Sequence, residues 1–345
     1  MIAGISMTAR PTALVTTVPF GRVDARPLEL LAEAGVECVL NPLGRKLSSF
    51  ELADMIPSVD VLIAGTEPIT AEVIARAQRL KLISRVGVGL DSVDLLAARR
   101  AGIPVSYTPD APAPAVAELV VGLMLTLLRS IHIADRELRQ GSWRRVQGRR
   151  LHECTVGIVG LGRIGQKVLR HLAGFAPRRI LLNDVVPQSI DTYGLEVEWT
   201  TREALLREAD VITIHVPLTP DTRGLIRESD LRSAKADALL INTARGGIIN
   251  EADLARVLRS GHLAGAAIDV FDHEPYAGEL ITIDRCVLTA HMGAMSEDCR
   301  ARMEIEATEE AVRCLRGEPL TGLVPREEYD NQRVAAGVDE PGGGQ

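Results

Sequence analysis

The stretch Val156-Gly157-Ile158-Val159-Gly160-Leu161-Gly162-Arg163-Ile164-Gly165 predicts the centre of the fold. A short, mostly β-branched apolar run leads into Gly160-x-Gly162-x-x-Gly165, which is typical of a buried strand, a tight turn and the start of a helix. Gly160 permits the turn, Gly162 lets a pyrophosphate approach the backbone, and Gly165 lets the helix pack closely on the strand. Because the N–H groups at a helix N-terminus attract phosphate oxygens, the stretch predicts a dinucleotide site.

A second apolar run ends at Asp184, which lies 184 − 165 = 19 residues after Gly165. An acid about 20 residues after the last glycine accepts hydrogen bonds from the adenine ribose in dinucleotide-binding folds. A carboxylate repels a 2′-phosphate, and the following Val185 and Val186 offer no cation to hold one. We therefore expect NAD rather than NADP as the cofactor.

Length and composition restrict the class of protein. The chain has 345 residues, of which 46% are hydrophobic and 25% charged, and this balance suits two globular domains. The net charge of −7 and the lack of a basic stripe argue against nucleic acid as a partner. We expect no membrane span and no signal peptide. The five cysteines form no CxxC pair, which favours a reduced, cytoplasmic protein without a metal site.

The order of predicted elements indicates an α/β fold. Residues 12–106 alternate strands with helices, which predicts a parallel sheet covered on both faces. Three prolines between residues 109 and 114 mark the first domain crossing. Six predicted strands between residues 156 and 289 match a complete dinucleotide-binding domain. An apolar helix over 115–129 is expected to be buried between domains or subunits.

A glycine-rich loop follows the strand that ends near Arg85 and reads Arg85-Val86-Gly87-Val88-Gly89. Ligands of open parallel sheets bind beyond the carboxyl ends of strands, and N–H groups around Val88 and Gly89 would suit a small anion. The same residues equally suit an ordinary turn that needs glycine for positive φ. The spacing alone leaves both interpretations open.

Three titratable or charged residues, Arg245, Glu274 and His291, each follow one of the last predicted strands. Oxidation of a secondary alcohol needs a base for the hydroxyl proton, and histidine has a suitable intrinsic pKa near 6.5. A carboxylate beside the histidine favours the imidazolium and orients the ring. An arginine binds a substrate carboxylate and polarises the adjacent C–O bond. Together the three residues predict catalysis.

Each of these residues also has an ordinary structural interpretation, as a surface arginine, a turn glutamate or a core histidine. His273 competes with His291 for the role of base, because it directly precedes Glu274. Asp272-His273-Glu274 suggests a metal site, but no suitably spaced partners complete a ligand set.

Five motifs together resemble the D-isomer-specific 2-hydroxyacid dehydrogenase family, over about residues 12–323. They are Gly160-Leu-Gly162-Arg-Ile-Gly165, His215-Val-Pro-Leu-Thr-Pro, Asn242-Thr-Ala-Arg245-Gly-Gly, Asp269-Val-Phe-Asp-His-Glu274-Pro and Thr289-Ala-His291-Met-Gly293. The resemblance implies a Rossmann doubly wound NAD-binding domain, residues 111–290, inserted in a flavodoxin-like substrate domain, residues 1–110 and 291–325. Residues 326–345 are polar and are expected to be a disordered tail.

The resemblance assigns roles to individual residues. It implies catalysis by Arg245, Glu274 and His291, with His291 as the acid/base. It implies cofactor contacts at Gly160, Gly162, Arg163, Ile164, Gly165, Asp184, His215, Val216, Thr243, Ala244, Arg245, Asp269, His291 and Gly293. It implies substrate contacts at Arg85, Val86, Gly87, Val88, Gly89 and Arg245. A homodimer with residues 115–129 at its interface is also implied.

The resemblance also orders the candidate substrates. The Arg85 loop is most similar to that of phosphoglycerate dehydrogenases, where Arg85 would meet a distal phosphate, so 3-phosphoglycerate is the first candidate. A hydroxy-phosphonate or a glyoxylate or hydroxypyruvate-type acid comes next. Pro112 stands where many members have Asn, and Glu274 disfavours formate dehydrogenase, which carries glutamine there. The alternative from another class is a non-catalytic NAD(H)-sensing protein of the corepressor type.

Overall fold

The computed structural model describes residues 10–335, which divide into two compact units. Within these residues, unit 1 comprises 10–112 together with 296–335, and unit 2 is Ala113–Met295. These boundaries lie two and five residues later than the expected 110/111 and 290/291. His291 therefore belongs to unit 2.

The strands of unit 1 are β1 (Thr12–Val15), β2 (Glu37–Leu40), β3 (Val61–Ala64), β4 (Leu82–Arg85) and β5 (Val105–Tyr107). The strands of unit 2 are β6 (Thr155–Val159), β7 (Arg179–Asn183), β8 (Val197–Trp199), β9 (Val211–Ile214), β10 (Leu239–Asn242), β11 (Gly265–Ile268) and β12 (Cys286–Leu288).

The helices are, in chain order, α1 (Arg26–Glu33), α2 (Ser49–Met55), α3 (Ala71–Arg76), α4 (Leu95–Arg100), α5 (Ala113–Leu128), α6 (Ile131–Arg139), α7 (Arg163–Leu172), α8 (Arg202–Glu208), α9 (Glu228–Ser233), α10 (Glu251–Arg259), α11 (Glu297–Arg316) and α12 (Arg326–Ala335). Several begin at the polar residues that favour helix N-termini. Ser48 forms a capping box with Glu51, and Thr201 and Asn250 accept backbone N–H groups of their own helices.

Unit 1 contains a five-stranded parallel sheet in the order β2-β1-β3-β4-β5. That order is the flavodoxin-like one. The central strand β3 is buried along its whole length, as expected when helices cover both faces of a parallel sheet. The expected flavodoxin-like topology is therefore confirmed.

Unit 2 contains a seven-stranded parallel sheet in the order β12-β11-β10-β9-β6-β7-β8. Apolar clusters cover both of its faces. The chain starts at β6, adds β7 and β8 on one side, and returns to place β9 on the other side, which is the doubly wound Rossmann arrangement. The prediction of six strands is wrong by one, because β8 also joins the sheet at its edge.

Helix α5, which the sequence predicts to be buried, packs within unit 2 against α7, β10 and β11. Its buried residues include Val120 and Met124, which are not exposed at all. No single helix in residues 10–335 is long and apolar enough to cross a membrane, although α5 and α6, bent by 61° at a short break, pass the length and composition test as a pair.

The expected disorder of residues 326–345 is wrong for the first half of that segment, because Arg326–Ala335 forms α12. This helix packs on α4 in unit 1. Gln332 accepts the N–H of Leu96 at 3.2 Å and donates to the Val93 carbonyl at 2.7 Å, and Arg99 stacks over the Tyr329 ring. Polar and cation–π contacts stabilise this helix. The low hydrophobicity of the segment therefore led to a wrong prediction of disorder. Residues 336–345 lie outside the described residues.

Candidate active site

The glycine turn lies where the sheet of unit 2 changes direction. In β6, Val159 pairs with Asn183 of β7 on one side and with Ile214 of β9 on the other. The residues that follow these three strands, Gly160, Asp184 and His215, therefore meet at one edge of the sheet. In open α/β sheets this switch point is the place where ligands bind.

The three glycines of the turn serve different purposes. Gly160 has φ +92°, and a Cβ there would lie 2.7 Å from the His215 carbonyl carbon. A Cβ on Gly165 would lie 2.2 Å from the Gly160 oxygen, so the helix could not approach the strand. Nothing lies within 4 Å of the Cβ position at Gly162. The first and third glycines are required by the fold, whereas the second leaves open space at the helix N-terminus.

Asp184 lies beside this turn, because its Oδ2 accepts the N–H of Leu161 at 2.6 Å. The next two residues face solvent, with Val185 96% and Val186 67% exposed. The carboxylate is therefore fixed at the end of β7 with an open surface beyond it. This placement suits an acceptor for ribose hydroxyls.

Two buried polar atoms at this edge have no hydrogen-bond partner among the described residues, Thr243 Oγ1 and His215 Nδ1. The other ring nitrogen of His215 lies 2.9 Å from Thr213 Oγ1. Burial lowers the pKa of His215 to about 3, so its ring stays neutral. Buried polar atoms are usually bonded in folded proteins, so these orphans, with the open Gly162 turn, fit a polar ligand such as NAD.

His291 and Glu274 form a direct pair. His291 Nδ1 lies 3.0 and 2.9 Å from the two carboxylate oxygens of Glu274, and Glu274 also accepts the N–H of Phe271 at 3.1 Å. His273, the competing base, is exposed on the same turn. The imidazole bonded to Glu274 is that of His291, with its other nitrogen left for a ligand.

The turn that carries His291 is held by Asp269, which is 1% exposed. Its Oδ1 accepts the N–H of Met292 at 2.9 Å and the Thr289 hydroxyl at 2.5 Å, and its Oδ2 accepts the N–H of Gly293 at 3.0 Å. His291 itself has φ +50°, in the left-handed region that only a few per cent of non-glycine residues adopt. Asp269 and Gly293, which the resemblance predicts as cofactor contacts, are thus bonded to each other in the turn that carries His291.

Arg245 follows strand β10, which pairs with β11 in the sheet. Asn242 organises its loop, because the amide oxygen accepts the N–H of Ala244 at 3.0 Å and the amide nitrogen donates to the Arg245 carbonyl at 2.9 Å. A Cβ on Gly246 would lie 2.0 Å from the Phe271 carbonyl carbon. The Arg245 loop therefore packs directly on the backbone of the turn that carries Glu274.

The Arg85 loop belongs to unit 1. Arg85 is 6% exposed, and its guanidinium donates to the Val86 carbonyl. Gly87 has φ +129°, and its N–H donates to Thr108 Oγ1 at 2.8 Å, which leaves Val88 and Gly89 as the partly exposed part of the loop. Thr108 is a support that motif reasoning missed, although its position after β5 was a signal.

Among residues 10–335, no group of three or more His, Cys, Asp or Glu side chains is arranged to hold a metal ion. Arg245, Glu274 and His291 supply a guanidinium, a carboxylate and an imidazole. They follow β10, β11 and β12, which are neighbours in the sheet.

Residues 121–293 match the family described as D-isomer specific 2-hydroxyacid dehydrogenase, NAD binding domain. A glyoxylate reductase of Thermofilum pendens is 36% identical over 92% of this chain and 96% of its own length. The chain belongs to the D-isomer-specific 2-hydroxyacid dehydrogenase family. The resemblance, the two-domain α/β fold and the NAD-binding domain expected from the motifs are thereby confirmed.

Other members differ in their named activity and in length. D-3-phosphoglycerate dehydrogenase of Methanocaldococcus jannaschii is 38% identical over 86% of this chain, which spans 57% of that relative. The crystal structure of the TT0316 protein of Thermus thermophilus aligns with a TM-score of 0.83 and 35% identity, over 91% of this chain and 100% of its own. Family membership does not select one 2-hydroxy acid.

Proposed function

We propose that the protein is an NAD-dependent oxidoreductase that interconverts a small anionic D-2-hydroxy acid and its 2-oxo acid. The His291–Glu274 pair, with Nδ1 2.9 Å from the nearer carboxylate oxygen, carries this proposal. Such a pair holds one ring nitrogen and directs the other toward a substrate, which is the arrangement of a general acid/base. Family membership supports the same reaction class.

The Gly162 turn, Asp184, His215 and Thr243 would hold NAD through its phosphates, ribose and polar edges. When bound, NAD accepts the hydride from a hydroxy acid or supplies it to an oxo acid.

Side chains of the protein stabilise the developing charge and transfer the proton. Arg245 binds the substrate carboxylate and stabilises the carbonyl oxygen as negative charge develops there. In reduction, the His291 imidazolium donates its proton to that oxygen, and in oxidation the neutral ring removes the hydroxyl proton. Glu274 favours the imidazolium, because an opposite charge at hydrogen-bond distance stabilises the charged form.

The substrate carboxylate is proposed to bind the N–H groups of Val88 and Gly89, the exposed part of the unit 1 loop. 3-Phosphoglycerate remains the first candidate, with Arg85 as the cation for its distal phosphate. The short acids glyoxylate and hydroxypyruvate come second, supported by the similarity to a glyoxylate reductase along nearly its whole length. A hydroxy-phosphonate is the third class.

The substrate class is tested with purified protein, NAD(H) and a panel of phosphorylated, phosphonate and plain 2-oxo and 2-hydroxy acids. If Arg85 contacts a distal phosphate, Arg85→Ala will raise KM about tenfold or more for phosphorylated acids and leave glyoxylate nearly unchanged, since one charge-assisted hydrogen bond contributes about 1.5–3 kcal/mol. Arg76→Ala removes an exposed arginine of the same unit, paired with Asp54, and is the matched control.

An equal loss on glyoxylate would show that Arg85 acts through the loop it is bonded to, and not on a phosphate. If no acid in the panel turns over while NADH binds tightly and changes the affinity of a protein partner, the NAD(H)-sensing alternative replaces the enzyme.

A further inference from the structure

We infer that Glu251 is a positioning residue, which holds the turn that carries Glu274 and uses its negative charge to favour the protonated form of the His291–Glu274 pair. This inference rests on the proposed function, since it assigns Glu251 a task in the same acid/base chemistry. Nothing in the motifs selects Glu251, which reads as an ordinary acid in the first turn of a helix.

Helix α10 does not need the Glu251 side chain for its own N-terminus. Asn250 caps the helix by accepting the N–H of Asp253 at 3.0 Å. Asp253 accepts the N–H of Glu228 at 2.9 Å and pairs with Arg256, so its carboxylate stabilises the contact between α9 and α10. The carboxylate of Glu251 leaves the helix instead and accepts the N–H of Asp272 at 2.8 Å.

Asp272 is thereby held on two sides, two residues before Glu274. Its backbone N–H is bound by Glu251, and its carboxylate lies 3.4 Å from the guanidinium of Arg223. The next hydrogen bonds along the turn are the N–H of Phe271 to Glu274 and the ring of His291 to Glu274. A continuous set of contacts therefore joins Glu251 to the catalytic histidine.

The contacts that hold Asp272 also reach the loop of Arg245. A Cβ on Gly247 would lie 2.9 Å from Arg223 Nη1 and 3.0 Å from Asp272 Oδ1, and the carbonyl of Gly247 accepts the N–H of Gly224 at 2.7 Å. Movement of Arg223 or Asp272 would therefore change the spacing between the Arg245 loop and the turn that carries Glu274.

Charge adds to the geometric effect. The titratable groups that face Glu251 are Asp272, His273, Glu274 and Tyr276, and Arg223 offsets the charge of Asp272. Partial burial, together with the neighbouring carboxylates Asp272 and Glu274, raises the pKa of Glu251. The negative charge of Glu251 adds to that of Glu274, and together they favour the protonated form of the pair.

The variant Glu251→Gln separates charge from position, because an amide oxygen can still accept the N–H of Asp272. Removing a negative charge weakens proton binding, so the midpoint of the His291 imidazole titration, followed by NMR in the full-length protein, will move to lower pH by about half a unit. This is the size expected for the removal of one partly solvated charge. The His291 signal is assigned by its loss in His291→Asn.

The pH profile of kcat/KM gives the second measurement. Reduction uses the protonated ring, so activity is lost as pH rises through the midpoint, and in Glu251→Gln that loss will begin about half a pH unit lower. Asp253→Asn removes one carboxylate from the same helix turn, and it will leave both the NMR midpoint and the profile unchanged. Glu251→Ala, which also removes the acceptor for Asp272, will lower kcat about fivefold to tenfold at its optimum.

A midpoint in Glu251→Gln equal to that of the unmodified protein would overturn the inference, as would an equal shift in Asp253→Asn. If no acid turns over but the NMR midpoint moves as expected, the proposed function fails while the inferred coupling stands. If turnover is normal and neither measurement moves, only the inference fails.

Discussion

At the scale of single residues, the site depends on side chains that are already fixed before a ligand arrives. His291 is held at φ +50° by the support built on Asp269, and its ring is oriented by Glu274. Positive φ in a non-glycine residue costs free energy that surrounding contacts must offset. Such an arrangement is typical of preorganised catalytic groups.

The choice between NAD and NADP belongs to the same scale. Asp184→Asn keeps an oxygen that can accept the N–H of Leu161, but it removes the negative charge that repels a 2′-phosphate. We expect the ratio of NADPH to NADH affinity, measured by fluorescence titration, to rise about tenfold, since a charge-assisted contact contributes about 1.5–3 kcal/mol. Asp191→Asn, an exposed change further along the same segment, is the control. An unchanged ratio would remove Asp184 from cofactor selection.

At the scale of elements, β6, the glycine turn and α7 form the proposed binding place of the cofactor. The motif spacing alone predicts this arrangement, because Gly160 and Gly165 are sterically required by the fold and Gly162 leaves room for a phosphate. The strand ends that carry Arg245, Glu274 and His291 are also predictable, because a polar residue after a short apolar run marks the end of a buried strand. Their mutual contacts are not predictable, because the Glu274–His291 pair depends on the order of β11 and β12 in the sheet.

Two elements show where the sequence is uninformative. Strand β8 lies at the edge of the sheet, and its middle residue is exposed between two partly buried ones. Its sequence therefore contains no continuous apolar run. Helix α12 has no buried residues and is held by Gln332 and Tyr329. Sequence patterns detect elements that bury a broad apolar face, whereas β8 packs only Val197 and Trp199 on the core and α12 only Tyr329. Motif reasoning also missed Glu251, because its contact runs from the first turn of α10 to Asp272, which lies 21 residues further along the chain.

The glycine turn gives a matched pair of variants. Gly165→Ala places a methyl group 2.2 Å from the Gly160 oxygen and will cost about 3 kcal/mol of unfolding free energy, the range of core overpacking. Gly162→Ala meets nothing within 4 Å, so its Tm will match that of the unmodified protein. The same methyl group will weaken NADH binding about tenfold or more, because it occupies the approach of the pyrophosphate. Tight NADH binding by Gly162→Ala would contradict this placement of the cofactor.

At the scale of the whole molecule, the chain is two units in which residues 113–295 interrupt the other unit. Unit 2 carries large apolar side chains on its surface, with Ile131 52%, Leu138 56% and Trp143 81% exposed. Exposed apolar side chains in one segment often mark a protein interface. We propose that α6 and the segment that follows it join residues 115–129, which the resemblance places at the interface, in a homodimer surface.

Sedimentation of the purified chain tests the proposed homodimer. We expect a mass of twice 37.2 kDa at micromolar concentration. The double variant Leu138→Ala with Trp143→Ala will shift the equilibrium toward the monomer, since burial of a large side chain contributes about 1.5–3 kcal/mol. Phe50→Ala removes an equally exposed aromatic from unit 1, 83% exposed, and will leave the mass unchanged. A monomeric unmodified protein would rule out the dimer.

His291 is proposed to transfer the proton in an NAD-dependent reaction of a 2-hydroxy acid. The most direct measurement compares NADH-dependent reduction of the best 2-oxo acid by the unmodified protein and by His291→Asn, which tolerates positive φ better than most residues. We predict a fall in kcat of about a hundredfold to ten-thousandfold, a D-2-hydroxy acid as the product, and an NADH Kd that changes less than about threefold. Undiminished turnover in His291→Asn, or a loss of turnover that follows a loss of NADH binding, would contradict the claim.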